Sequence, residues 1–217
     1  MKKYTILFGA ICAVMLAFSQ NAKATEIPFT STLNVANPDL AAFGAGPYGT
    51  VTVTLSGNTA SITFAAASGF EFVDGKAAAV QINSTDFTPD PLSVSPNPAA
   101  DPFTGFGSQP PGSTDGFGAF NLTVNYKDAS IGFSTISFDV TNNLSTWSSA
   151  ADVLTFNSKS FDAAAHMRAT INNPQGLTGF AGEGPGTPTV PDGGATAALL
   201  GLGLAGLAGI RAKFGRN

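Results

Sequence analysis

His166 is the only histidine in the chain, and Asp162 stands four residues before it. An imidazole beside a carboxylate is the pair from which a general base is built. On a strand, however, residues four apart share a face at a separation of about 13 Å, too far for contact. No second histidine completes a metal site, and no Gly-x-Ser-x-Gly element marks a serine esterase. His166 is therefore expected to be structural, with its ring bonded to a neighbouring backbone group or carboxylate. Hydrolysis of a glycosidic bond needs two carboxylates at a set separation. Thirteen acidic residues lie between Thr25 and Thr189, and spacing alone selects no pair among them. Trp147, the only tryptophan, could stack on a sugar as a ligand contact or anchor the core beneath a loop. Asp74-Gly75 and Asp115-Gly116 lack the regular acidic spacing of a calcium loop and read as turns. Asn83, Asn121 and Asn143 each open an Asn-x-Ser/Thr sequon, and many Ser and Thr residues could accept O-linked glycans. These residues nominate no catalytic, cofactor-binding or metal-binding position.

The elements that would carry them have a period of two. Apolar residues alternate with polar ones in Val51–Leu55, around Ile62 and Phe64, and around Val80 and Ile82. The same holds from Phe120 to Tyr126 and from Ile136 to Val140. Such runs are strands with one wet face. Ser56-Gly57-Asn58 joins two of them closely enough for a hairpin, and Thr141-Asn142-Asn143 marks another turn. No long amphipathic helix precedes the C-terminal segment. The reading is an all-β, antiparallel β-sandwich or jelly-roll domain over residues 25–181. Seven prolines crowd residues 88–114. Proline donates no ladder hydrogen bond, so this stretch is expected to be one long surface loop. Residues 182–189, rich in glycine and proline, read as a linker.

The two ends carry different signals. Lys2 and Lys3 precede an apolar core from Ile6 to Phe18, and Ala22-Lys23-Ala24 fits the small-residue cleavage pattern. Residues 1–24 thus read as a signal peptide, with Thr25 the first mature residue. A core of 13 residues is too short to span a bilayer comfortably. Cys12, the only cysteine, lies inside it, too early and too poorly flanked for lipidation. The mature chain therefore has no disulfide, thiolate metal site or cysteine nucleophile. Between Thr25 and Thr189 four basic residues face thirteen acidic ones, a net charge of −9. That balance argues against nucleic acid as a partner.

At the C-terminus, Val190-Pro191-Asp192-Gly193-Gly194 leads into an apolar run from Ala195 to Ile210. A basic tail, residues 211–217, follows with Arg211, Lys213 and Arg216. The uncharged run is near the lower limit for a single transmembrane helix, and its basic flank would stay cytoplasmic. A plain tail anchor would look similar. The three-part arrangement resembles the PEP-CTERM class of sorting signals, and most closely the variant whose motif is Val-Pro-Asp-Ser-Gly. Val190, Pro191, Asp192 and Gly194 match that variant, and Gly193 stands in place of its serine. The resemblance implies an integral-membrane exosortase that recognises the motif, cuts nearby and releases the tail. It also implies a Gram-negative host that makes exopolysaccharide.

The region between the signals is similar to uncharacterised domains found on PEP-CTERM proteins. The segments that carry the similarity are 115–121, 147–154, 163–166 and 178–181. No activity comes with it. The expected protein is processed by signal peptidase and exosortase and held transiently in the inner membrane. It then sits at the cell surface or in the extracellular matrix, with polysaccharide as a possible partner. Its domain is expected to be non-enzymatic, with a carbohydrate-binding module or carbohydrate-active hydrolase as the alternative.

Overall fold

The computed structural model describes residues 27–74, 78–99, 102–109, 114, 116–127 and 130–184. Twelve strands run through them: β1 Phe29–Ala36, β2 Gly49–Ser56, β3 Thr59–Ala66, β4 Phe70–Val73, β5 Val80–Ile82, β6 Phe87–Asn97, β7 Phe103–Gln109, β8 Phe120–Tyr126, β9 Gly132–Phe133, β10 Thr135–Asn142, β11 Ala163–Ala169 and β12 Thr178–Glu183. Among the described residues the only helices are α1, Pro38–Ala41, and a 3-10 turn at Ala150–Asp152. None is long and apolar enough to cross a membrane. The expected span at 195–210 and the expected signal peptide lie outside the described residues.

All pairings are antiparallel and link one sheet in the order β6-β10-β3-β2-β1-β12-β11-β5-β8-β7, with β4 pairing β11 and β9. The architecture is all-β, as expected, but it is a near-barrel rather than two separately bonded sheets. The two end strands, β6 and β7, are neighbours in sequence, and the sheet rolls until its ends approach. Across the interior Phe106 of β7 meets Phe138 of β10 edge-on, with ring centres 5.9 Å apart. Phe64 packs on Phe138 and Phe72 in the same core. Alternation does the sorting. In β10 the residues Ile136, Phe138, Val140 and Asn142 point inward while Thr135, Ser137, Asp139 and Thr141 stay half-buried. The outward positions form cross-strand pairs: Thr63 with Ser137 at 2.9 Å, Ser61 donating to Asp139 at 2.6 Å, and Thr59 with Thr141 at 3.2 Å. The β2–β3 hairpin turns at Gly57, whose φ of 62° suits glycine.

Two expectations are corrected here. The proline-rich stretch 88–114 is not one loop, because β6 and β7 occupy most of it. Among the described residues each has a hydrogen-bonded neighbour on one side only, β10 for β6 and β8 for β7. A strand with a free edge has room for residues that cannot donate, and proline in sheets is confined to such edges. The register of β6 also shifts opposite Ser137–Asp139, so Pro91 and Leu92 bulge out of the ladder, leaving Leu92 fully exposed to solvent. The second correction concerns the linker. It does not begin at residue 182, since β12 runs to Glu183, which pairs with Leu33 of β1.

Candidate functional site

The sheet's middle strands are covered on both faces. The main core lies inside the roll, and a smaller apolar cluster of Phe117, Phe120, Ala164 and Phe180 lies outside, with Phe161 against it. Residues 117–120, 163–166 and 178–181 thus meet in this outer cluster. Gly182 permits the close approach: a Cβ there would come within 2.4 Å of the Phe117 ring. The Asn157 side chain donates to the carbonyls of Phe117 and Ala119 at 2.9 and 3.1 Å. It thereby pins the covering segment.

His166 sits in this outer layer on β11. Its Nδ1 donates to the Val73 carbonyl at 3.1 Å, and its ring stacks on Phe180 with centres 4.7 Å apart. Burial pushes its pKa below the usual imidazole value, partly opposed by the Val73 contact. The ring has a backbone partner and an apolar cover, as expected for a structural histidine. Beside it the fully buried Gln81 accepts from Thr114 Oγ1 at 2.7 Å.

Asp162 does not meet His166. It stands just before β11 and instead forms a hydrogen bond with Glu183 at the end of β12. Both side chains are 5 % exposed. Desolvation raises both pKa values, and Asp162 adds hydrogen bonding and charge repulsion that push Glu183 to about 9. Glu183 is thus protonated at neutral pH and donates to the Asp162 carboxylate. Ser31 of β1, 6 % exposed, lies against Glu183 and partly opposes the rise. Sequence reasoning missed Glu183, because the glycine and proline after it made it read as spacer. The pair is 21 residues apart in the chain, and no local spacing could have joined them. The two carboxyl groups touch, whereas glycoside hydrolysis holds them about 5 Å or more apart around the scissile bond.

Trp147 is 8 % exposed and belongs to the main core. Asn83 donates to Thr155, Asn121 exchanges hydrogen bonds with the backbone of Ser84, and Asn143 accepts from Thr88. All three sequon asparagines therefore have structural partners. Among the described residues no three His, Cys, Asp or Glu side chains gather. Asn34 of β1 accepts a hydrogen bond from the Gly184 backbone at 3.1 Å, which fixes where the described chain leaves the sheet.

Ala22, Ala24, Thr25, the motif Val190–Gly194 and the basic residues Arg211, Lys213 and Arg216 lie outside the described residues. Comparison with curated proteins and with solved structures finds no match to the chain. Residues 189–214 match the family model of the VPDSG-CTERM motif, and the chain thereby carries the sorting signal of an exported, exosortase-processed surface protein.

Proposed function

We propose that this chain is a non-enzymatic surface or matrix protein whose rolled β-domain is released from the inner membrane of a Gram-negative bacterium into its exopolysaccharide layer. The observation that carries the reading is the match of residues 189–214 to the sorting motif. Signal peptidase would cut between Ala24 and Thr25. Ala195–Ile210 would then hold the chain in the membrane, with Arg211, Lys213 and Arg216 on the cytoplasmic side. The contact between Asn34 and Gly184 supports a short tether. Val190 lies six residues beyond Gly184, a reach of at most about 20 Å. The domain would therefore sit close to the bilayer while the motif is processed. Pro191 and the glycines keep the motif from continuing a helix, and an extended backbone is what a cutting site can grip. The buried Trp147 and the touching carboxylates favour a non-enzymatic module over a carbohydrate-active one.

The test replaces Pro191 and Asp192 together with alanine in the native host. Full-length protein should accumulate in the inner membrane, as it should when the exosortase is deleted. Equal release in wild-type, mutant and deletion cells would leave a plain tail anchor in place of a sorting signal.

A further inference from the structure

The described domain begins and ends at the same end of the near-barrel. Strand β1 starts there at Phe29, and β12 stops beside Leu33 while running antiparallel to β1, so the chain at Gly184 heads towards the start of β1. Residues 143–162 cover that end. They leave β10 after Asn142 and enter β11 at Ala163. On the way the backbone N–H groups of Asn143 and Thr155 donate to the carbonyls of Asp86 and Asn83 at 2.7 and 2.9 Å. Trp147, Ala150, Val153 and Leu154 of this cap are buried in the main core and close the roll. Leu144 and Phe156 of the same cap are 64 % and 57 % exposed, and Ile27, just before β1, is 59 % exposed. Single exposed apolar residues are ordinary on a protein surface. These three share the end from which the chain leaves towards its apolar run at Ala195–Ile210.

We propose that this end of the domain is a membrane-docking surface, with Leu144, Phe156 and Ile27 resting in the headgroup layer of the bilayer while the chain is anchored. Such docking presupposes the anchored intermediate of the proposed function. Chain length names the occupant. Asn34 holds Gly184, and the apolar run starts 11 residues further on at Ala195. The connection therefore spans at most about 40 Å when fully extended, and the bilayer stays within reach of these side chains. Phe and Leu side chains at a membrane interface sit about 5–10 Å into the boundary between headgroups and acyl chains. Charge selects the lipid. A net charge of −9 between Thr25 and Thr189 gives no attraction to anionic headgroups, and the cap carries one base, Lys159. The contact is therefore apolar and suits zwitterionic lipid. Docking would hold the domain in one orientation and keep Val190–Gly194 against the membrane, where an integral-membrane enzyme cuts. A few apolar side chains give only reversible attachment, so the anchored domain docks and the cut one leaves.

The test uses the anchored chain purified from exosortase-deleted cells and reconstituted into phosphatidylcholine vesicles. A fraction of the headgroups carries a spin label, which quenches tryptophan near the membrane surface. Phe156→Trp and Ile171→Trp each add one indole to the native Trp147, the first at the docking end and the second in the opposite turn between β11 and β12. Both positions are exposed, so the core is undisturbed. Phe156→Trp should lose most of its added emission to the label, and Ile171→Trp none of its own. Adding Leu144→Ser and Ile27→Ser to the Phe156→Trp chain should relieve that quenching. In chains that float with the vesicles, equal quenching of the two added indoles, or none at Phe156→Trp, would overturn the docking surface and leave the anchor standing. Quenching unchanged by the two serines would overturn it too, because the tether alone would then account for the proximity. Chains that do not float with the vesicles would overturn the anchored intermediate, and the docking surface with it.

Discussion

Two buried titratable centres lie four residues apart along the same part of the chain, and they are built in opposite ways. His166 has a carbonyl for its Nδ1 and an aromatic ring for its face. Asp162 and Glu183 have each other, with Ser31 against Glu183. The histidine was the residue that invited a chemical reading from its type, and its surroundings make it a packing element. The carboxyl pair invited none, and it is the centre that holds a proton in the folded chain. What a buried titratable group does is set by the partners the fold gives it, not by the reactivity of its side-chain type.

The strongest way to break this contrast is to uncover the histidine. Phe180→Ala removes its stacking partner and a corner of the outer cluster, and should cost about 3–4 kcal/mol of stability by denaturant unfolding. If burial is what lowers the imidazole pKa, NMR titration of the variant should show it moving up towards the ordinary value. An unmoved titration would mean that the ring's environment is not set by Phe180.

A middle-sized effect separates the centres by pH. Glu183 has a folded pKa of about 9 against 4.5 unfolded. Across that window the folded chain keeps a proton that the unfolded chain gives up, so stability falls as pH rises. His166 slopes the other way. Its folded pKa is lowered from 6.5, so below that value the unfolded chain takes up a proton that the folded chain refuses, and stability falls as pH drops. Glu183→Gln should flatten the alkaline decline. It should exceed the parent at pH 8 by roughly 2 kcal/mol, a figure discounted for partial solvent screening. A parent whose stability rises steadily from pH 5 to 9 would contradict the buried proton.

The smallest effect tests whether the Nδ1 bond to Val73 matters beyond packing. His166→Phe keeps a flat ring over Phe180 and deletes the bond, for a loss of about 1 kcal/mol. The acid-side decline should shrink with it, while the alkaline decline persists. Loss of both limbs together would mean that the two centres are coupled rather than separate.

The legible part of the fold was the part with one wet face. Val51–Leu55, Ile62 and Phe64, Phe120–Tyr126 and Ile136–Val140 alternate in sequence and lie in β2, β3, β8 and β10. Strand β11, reading Ala-Ala-Ala-His-Met-Arg-Ala, escaped because it is buried on nearly every residue. The main core covers one of its faces and the outer cluster the other, which erases the period of two. Strand β12 is hidden for the same reason. Strands β6 and β7 escaped because their prolines and glycines carry a loop signature that only a free sheet edge can accommodate.

By itself the sequence determined the β character of the domain, the impossibility of an intrachain disulfide with Cys12 as the single cysteine, and the sorting motif at residues 189–214. These are local properties, written in side-chain alternation, in composition and in a contiguous signal that a processing enzyme reads along the backbone. Only the tertiary structure decided that the strands roll into one near-barrel, that His166 faces Phe180, and that Asp162 meets Glu183 beside Ser31. Those three carboxyl and hydroxyl groups lie on segments far apart in the chain, and a site of this kind exists only once register brings its strands side by side.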